Sequence, residues 1–264
     1  MKEFHIILCG TSLLTNFGKT KEAKELDMTE WARLNPTDIK QIEIEKLAHK
    51  GDKRFDILYK FLTNEPKANS AELNTFIRFC ELYNAEREAL LYCTDTGTGV
   101  LCANVIHEYL QNSNYARMVS EPQRLKYFKS SEEFDDALVD IIERLTKIII
   151  NKKRQGFKVH INASGGFKPE STYAVIAALL SGVDSIYYRF ETFRDLIKLP
   201  AIPLKLNIEE HKKIIEELRY SKKPLDTLLE EGFERDYIDR LKEIGFIEMD
   251  GIYVKLRRWL KYLI

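Results

Sequence analysis

The sequence predicts an α/β fold, a doubly wound and mostly parallel sheet, followed by a small C-terminal unit of helices and a hairpin. Three observations predict it. Short apolar runs at Phe4–Cys9, Ala89–Cys93 and Lys158–Ala163 recur between long helical periodicities, as parallel strands buried on both faces require. Each run empties directly into a loop rich in Gly, Ser, Thr and Asn. Finally, composition shifts at Pro200-Ala201-Ile202-Pro203, where two prolines so close together cannot sit in a central strand. The boundary is therefore placed so that residues 1–206 form the sheet domain and residues 207–264 the small one.

Phe4–Cys9 reads as the first buried strand, bounded by Gly10. Thr20 to Thr63 is helical and charged, broken at Asn35-Pro36 and Gly51-Asp52, and makes two or three helices. Asn69 with Glu72 has the spacing of a capping box, which predicts a helix from Ser70 to about Leu82. After the strand Ala89–Cys93, an amphipathic helix is expected over Val100–Leu110 and a short strand over Tyr115–Ser120. Ser130 and Glu133 form another capping box, opening a helix to about Ile150. The strand Lys158–Ala163 precedes a helix over Pro169–Leu180, and Asp184–Phe190 with Leu196–Leu199 reads as an antiparallel pair at the sheet edge. The tail gives helices at Ile208–Tyr220, Pro224–Glu231 and Arg235–Ile244, then a hairpin over Phe246–Val254 turning at Asp250-Gly251. Three helices and a β-wing make a winged helix.

Composition excludes several partners. The 41 basic residues balance 41 acidic ones, and the tail from Ile208 keeps the balance at 12 against 13, so no net field favours a nucleic-acid duplex or a membrane surface. The apolar run of Met1–Cys9 is too short for a signal peptide, and no stretch approaches the roughly 18 apolar residues of a membrane span, so a cytoplasmic protein is expected. Cys9, Cys80, Cys93 and Cys102 show no C-x-x-C pair and read as buried free thiols. His5, His49, His107, His160 and His211 have no i, i+4 ligand spacing, and neither a metal nor another cofactor is expected.

In an open α/β sheet, ligands bind outside the carboxyl ends of the parallel strands. Gly10-Thr11-Ser12-Leu13-Leu14-Thr15-Asn16, Thr94-Asp95-Thr96-Gly97-Thr98-Gly99 and Asn162-Ala163-Ser164-Gly165-Gly166-Phe167-Lys168 all follow strands, so all three should share that edge. Gly165 and Gly166 let backbone N–H groups approach a ligand, the following helix offers its positive end, and Lys168 adds a full charge. An ordinary strand-to-helix turn would use the same glycines, since the stretch matches neither the P-loop nor the dinucleotide fingerprint. Taken together, the hydroxyls, glycines, amides and one lysine suit a polyanion that carries sugar hydroxyls, and no acidic cluster is offered to magnesium.

Gly10-Thr11-Ser12-Leu13-Leu14-Thr15-Asn16, Thr94-Asp95-Thr96 and Gly165-Gly166-Phe167-Lys168, in that order and on those strands, resemble the CARF family, the CRISPR-associated Rossmann-fold sensors of cyclic oligoadenylates. The resemblance covers roughly residues 1–206 and is to the branch that includes the ring nucleases. It implies a homodimer holding one cyclic oligoadenylate across its twofold axis. Gly10, Thr11, Ser12 and Asn16 would line the ligand, Asp95 and Thr96 would lie near an adenine or ribose, Gly165, Gly166 and Lys168 would meet the phosphates, and Gly97, Ser164 and Phe167 would complete the binding set. Ser12 and Lys168 would be catalytic. The implied reaction is metal-independent attack of a ribose 2′-hydroxyl on the adjacent phosphodiester, most simply of cyclic tetra-adenylate.

Two rival readings follow from the same resemblance. Arg154 and His160 match the spacing of a HEPN ribonuclease signature, but His160 falls inside a strand and the tail is too short for such a domain. CARF domains are also joined to winged helices in transcription regulators that respond to the ligand without cutting it. Here the expected recognition helix mixes Arg235, Arg240 and Lys242 with Asp236, Asp239 and Glu243, too many acids for a groove reader. Lys255, Arg257, Arg258 and Lys261, interleaved with Trp259 and Tyr262, form a basic stripe that suits packing or, less well, nucleic acid.

Overall fold

A computed structural model describes residues 2–125, 131–166, 168–189 and 196–264. Strand β1 (Lys2–Cys9) is buried almost from end to end, in keeping with its unbroken apolar run. After it come α1 (Ser12–Phe17), α2 (Lys21–Glu25), a 3-10 turn at Trp31–Arg33, α3 (Lys40–Lys46) and α4 (Lys53–Asn64). The predicted break at Gly51-Asp52 has a cause: the Asp52 carboxylate accepts from the Arg54 and Phe55 backbone N–H groups and starts α4. Next are α5 (Pro66–Asn69), α6 (Ala71–Leu82), β2 (Glu86–Thr94), α7 (Gly97–Gln111), β3 (Met118–Leu125), α8 (Ser131–Arg154), β4 (Lys158–Asn162) and α9 (Lys168–Leu180). Strands β5 (Ser185–Arg189) and β6 (Leu196–Leu199) complete the sheet. The Ser130–Glu133 capping box and Phe190 lie outside what is described.

The sheet order is β3-β2-β1-β4-β5-β6. The first five strands run parallel, and β6 closes the edge antiparallel to β5, with Ile186 opposite Leu199 and Arg189 opposite Leu196. The chain winds outward from β1 to β3, crosses over through α8, and winds outward again from β4, which makes the fold Rossmann-like and puts the reversal of strand order between β1 and β4. One face is covered by α1, α4, α6 and α7 around Leu13, Phe17, Leu58, Phe76 and Leu101. The other is covered by α8 and α9 around Ile141, Leu145, Ile149 and Ala177.

Three elements differ from expectation, the first being Gly10 to Asn16, read as a loop but helical from Ser12. The third strand is Met118–Leu125 rather than Tyr115–Ser120, because an edge strand of mixed exposure carries no continuous apolar run. Helix α6 begins where predicted, but by another device. Ser70 is its N-cap, accepting from Leu73 N–H at 3.2 Å, while Asn69 Nδ2 donates to Phe61 O and the Glu72 carboxylate turns away. The Asn69–Glu72 spacing is therefore not a capping box.

Residues 200–208 contain no helix or strand. A 3-10 turn at Glu209–His211 precedes α10 (Lys212–Leu218), β7 (Lys223–Pro224), α11 (Leu225–Glu230), α12 (Arg235–Glu243), β8 (Ile247–Asp250), β9 (Tyr253–Leu256) and α13 (Arg258–Leu263). The three strands form a separate sheet in the order β7-β9-β8, with Gly251 at φ 63° in the predicted hairpin turn. This unit packs against α8, where Gly245 meets Val139 and Arg258 approaches Glu143. Among the described residues, no helix is long and apolar enough to cross a membrane.

Candidate functional site

The parallel register brings the loops after β1, β2 and β4 to one edge of the sheet. At the reversal of strand order the first and third loops touch. A Cβ on Gly10 would lie 2.9 Å from Gly166 N, and one on Gly165 would lie 2.5 Å from Leu8 O and overlap the Glu72 carboxylate. Both positions need glycine for close approach, and Gly166 needs it also for its φ of 92°.

Glu72, on the first turn of α6, organises this junction and is not among the site residues that the sequence singles out. Its side chain is fully buried. Oε1 accepts Gly10 N–H at 2.8 Å, and Oε2 accepts the hydroxyls of Ser12 and Ser70, each at 2.7 Å. Ser12 Oγ in turn accepts Ala71 N–H at 3.1 Å. The Glu72 backbone carbonyl takes Asn162 Nδ2 at 2.9 Å, and Thr75 Oγ1 lies within hydrogen-bond distance of Asn162 Oδ1 and Ser164 Oγ. One helical turn of α6 thus fixes both glycine loops. The contact joins residues some 60 and 90 positions apart, and a local spacing rule cannot find it.

The second loop is tied to its surroundings by separate bonds. Thr94 Oγ1 donates to Glu170 of α9 at 2.9 Å, and Thr96 caps α7 by accepting Gly99 N–H at 3.1 Å. Gln41 of α3 accepts Thr98 N–H at 2.9 Å, and a Cβ on Gly97 would overlap the Gln41 carbonyl. Arg124 of β3 bridges Glu45 of α3 and Asp95 at 2.6 and 3.3 Å. The Trp31–Lys46 segment therefore stands over this loop.

Between these parts lies a cleft of about 320 Å³, lined by Gly10, Thr11, Gly166, Thr94, Thr96 and Thr98, with Ala32, Leu34, Pro36 and Gln41 as its far wall. A slightly larger cavity of about 380 Å³ beside Trp31 and Leu47 takes no residue from the three loops. Ser12 is half-buried next to Thr11, and Lys168 is exposed at the start of α9. Ser171 Oγ of the same helix donates to Gly165 O at 3.0 Å. Asn16 is placed differently, since its Nδ2 donates to the carbonyls of Ala68 and Asn69 and its Oδ1 accepts from Lys19. Phe167 lies outside the described residues.

A second group of buried polar side chains sits toward the amino ends of β1 and β4. Glu3, His5 and His160 bring three donor atoms within 4.8 Å of one another, a grouping that the pairing of His5 with His160 across strands creates and linear spacing hides. His5 Nε2 faces Glu3 at 3.4 Å, Tyr187 Oη lies 2.9 Å from His5 Nδ1, and Ser185 Oγ lies 2.7 Å from His160 Nδ1. Arg87 Nε, 3.0 Å from Glu3 Oε2, supplies a cation to that carboxylate from the protein itself. Burial lowers His5 and takes His160 down to about 3, so both rings are neutral near pH 7. Burial pushes Glu3 up, but its hydrogen bond to His5 and the electrostatic pull of His5, His160 and Arg87 outweigh this and leave it lowered.

Elsewhere, Cys9, Cys93 and Cys102 are buried free thiols and Cys80 is partly buried, with burial raising all four. Half of the basic stripe of the tail is ion-paired within the fold, while Arg258 and Lys261 are exposed. Lys255 and Arg257 both pair with Glu248, at 3.1 and 2.8 Å, and buried Trp259 donates to Gly245 O at 3.0 Å.

A family model described as CRISPR-associated protein (Cas_APE2256) matches residues 67–202, just over half of the 264-residue chain. The matched part runs from α5 to the end of the sheet and contains Glu72, the loops after β2 and β4, and Lys168.

Proposed function

The chain belongs to the CRISPR-associated Cas_APE2256 family, and from that premise we propose that it binds a cyclic oligoadenylate at the junction of its three loops and cleaves it. The observation that carries this reading is the meeting of Gly10, Gly165 and Gly166 at the strand-order reversal, with Ser12 and Lys168 as the first residues of the helices, α1 and α9, that follow these glycine turns. Gly10 contributes by its missing Cβ, since its N–H is taken by Glu72. The Gly165-Gly166 loop and the start of α9 face the phosphates, and the threonines of the second loop face a ribose or adenine.

A cleft of about 320 Å³ suits a nucleotide-sized group rather than a four-nucleotide ring. In line with the CARF resemblance, the ring is shared between two copies of the chain related by a twofold axis, each holding half. The reaction needs no protein nucleophile. Ser12 orients a ribose 2′-hydroxyl in line with the leaving 5′-oxygen, and Lys168 stabilises the charge developing on phosphorus or protonates that oxygen. The products are linear oligoadenylates ending in a 2′,3′-cyclic phosphate, and removing the messenger switches off the CRISPR response that uses it. The C-terminal unit has the element order of a winged helix. The pairing of Lys255 and Arg257 with Glu248, and the acids mixed into α12, support an architectural role over DNA binding.

The test is incubation of the protein with labelled cyclic tetra-adenylate in EDTA. Linear products bearing the cyclic phosphate are expected. A ring left intact at enzyme excess, although bound, would replace this reading with that of a ligand-responsive regulator.

A further inference from the structure

Ser12, next to Thr11 of the cleft, is in an unusual hydrogen-bonding state. Its proton is directed to Glu72 Oε2 at 2.7 Å, and one of its lone pairs receives Ala71 N–H at 3.1 Å. What it has left is one lone pair, so toward a ligand it is an acceptor. A phosphate oxygen, which only accepts, gains nothing from it. A ribose hydroxyl, which donates, does.

Resting on the cleavage reading above, we propose that Glu72 is the terminal proton acceptor of the reaction, acting through Ser12. As the 2′-oxygen forms its bond to phosphorus, the 2′-O–H bond breaks and its proton passes to Ser12 Oγ. The Ser12 proton passes to Glu72 Oε2. The bond from phosphorus to the 5′-oxygen breaks, and that oxygen takes a proton from Lys168. Ser12 is left a neutral hydroxyl, Glu72 returns its proton to water or to Lys168 after product leaves, and no other reactant is consumed.

Glu72 is suited to this by its surroundings. It is sealed from solvent, and the Gly10 N–H and the Ser70 hydroxyl fix its carboxylate with Oε2 2.7 Å from Ser12 Oγ. Because Glu72 never touches the ring, it is a positioning and proton-accepting residue rather than a catalytic one. The requirement for glycine at position 165 follows as well, since any side chain there would displace the carboxylate.

The experiment compares full-length wild type, Glu72→Gln, Ser12→Ala and the double variant, measuring single-turnover cleavage of cyclic tetra-adenylate and, separately, its binding. Gln keeps the volume and the acceptor for Gly10 N–H but turns an amide donor toward Ser12. Cleavage by Glu72→Gln should fall about 100-fold or more while affinity stays within about 3-fold of wild type. In the Ser12→Ala background the same change should cost nothing further, because the two residues form one path. A merely structural role would instead weaken binding and multiply with Ser12→Ala. Glu72→Asp, which keeps the carboxylate but withdraws it from Ser12, serves if the Gln variant does not fold and should also lose rate with affinity retained. Unchanged cleavage in either folded variant beside an active wild type overturns the relay alone. A wild type that binds the ring without cutting it overturns the cleavage reading and the relay together.

Discussion

Lys168 and Ser12 illustrate how differently two residues of one proposed site can be supported. Lys168 is exposed at the first position of α9, and Ser12 is held on both sides by α6. Removing the lysine amine should therefore leave the fold as it is. Lys168→Ala is expected to lower single-turnover cleavage of cyclic tetra-adenylate by on the order of 10²-fold, the usual loss when one charged donor to a developing oxyanion is removed. Its thermal midpoint should match wild type. Cleavage at the wild-type rate would remove Lys168 from the mechanism, and a lowered midpoint would give it a structural role that its exposure does not suggest.

At the scale of elements, α3 and α6 do the positioning, and both are hard to read from the sequence. The three turns are legible because each places glycines with hydroxyl or amide residues directly after an apolar run. The partners of those turns are not. Glu72 carries the local signal of a capping box, and only the fold reveals that Ser70 caps α6 and frees the carboxylate for Gly10 and Ser12. Gln41 lies in a charged helical stretch with no feature to mark it, yet it is buried and accepts Thr98 N–H at 2.9 Å. Asn16 belongs to the first loop by sequence, whereas α1 carries it round to the carbonyls of Ala68 and Asn69. Gln41→Ala should strand the buried Thr98 N–H and cost about 1–3 kcal/mol of stability, read as a lower urea midpoint. Ring affinity should weaken as well, because Gln41 and its neighbours form the far wall of the cleft. Affinity equal to wild type in the folded variant would show that this wall does not meet the ligand.

For the whole molecule, the buried cluster at the amino ends of β1 and β4 makes stability depend on pH. Folded His160 titrates at about 3 and folded His5 below its ordinary value of 6.5, because burial disfavours the charged rings. In the unfolded chain both return to about 6.5. Between these limits the unfolded state binds more protons, so stability is greatest above about pH 6.5 and declines as pH falls, by up to about 1.4 kcal/mol per pH unit for His160, with His5 adding in the same direction. Glu3 acts in the same direction but lower. Its carboxyl is depressed on folding, so its contribution is lost only as pH falls below the ordinary carboxylate value of 4.5. Glu143, raised by burial, opposes this in the carboxylate range and not at higher pH. From about pH 6.5 to about pH 5 the two histidines should therefore dominate the slope. Urea midpoints measured at about pH 7 and about pH 5 should show wild type losing stability, and His160→Gln, although weaker at neutral pH, should lose about 2 kcal/mol less over that interval. An equal slope in the two proteins would mean that His160 takes up its proton in the folded state and that the ring, the Glu3 carboxylate and Arg87 rearrange to admit it.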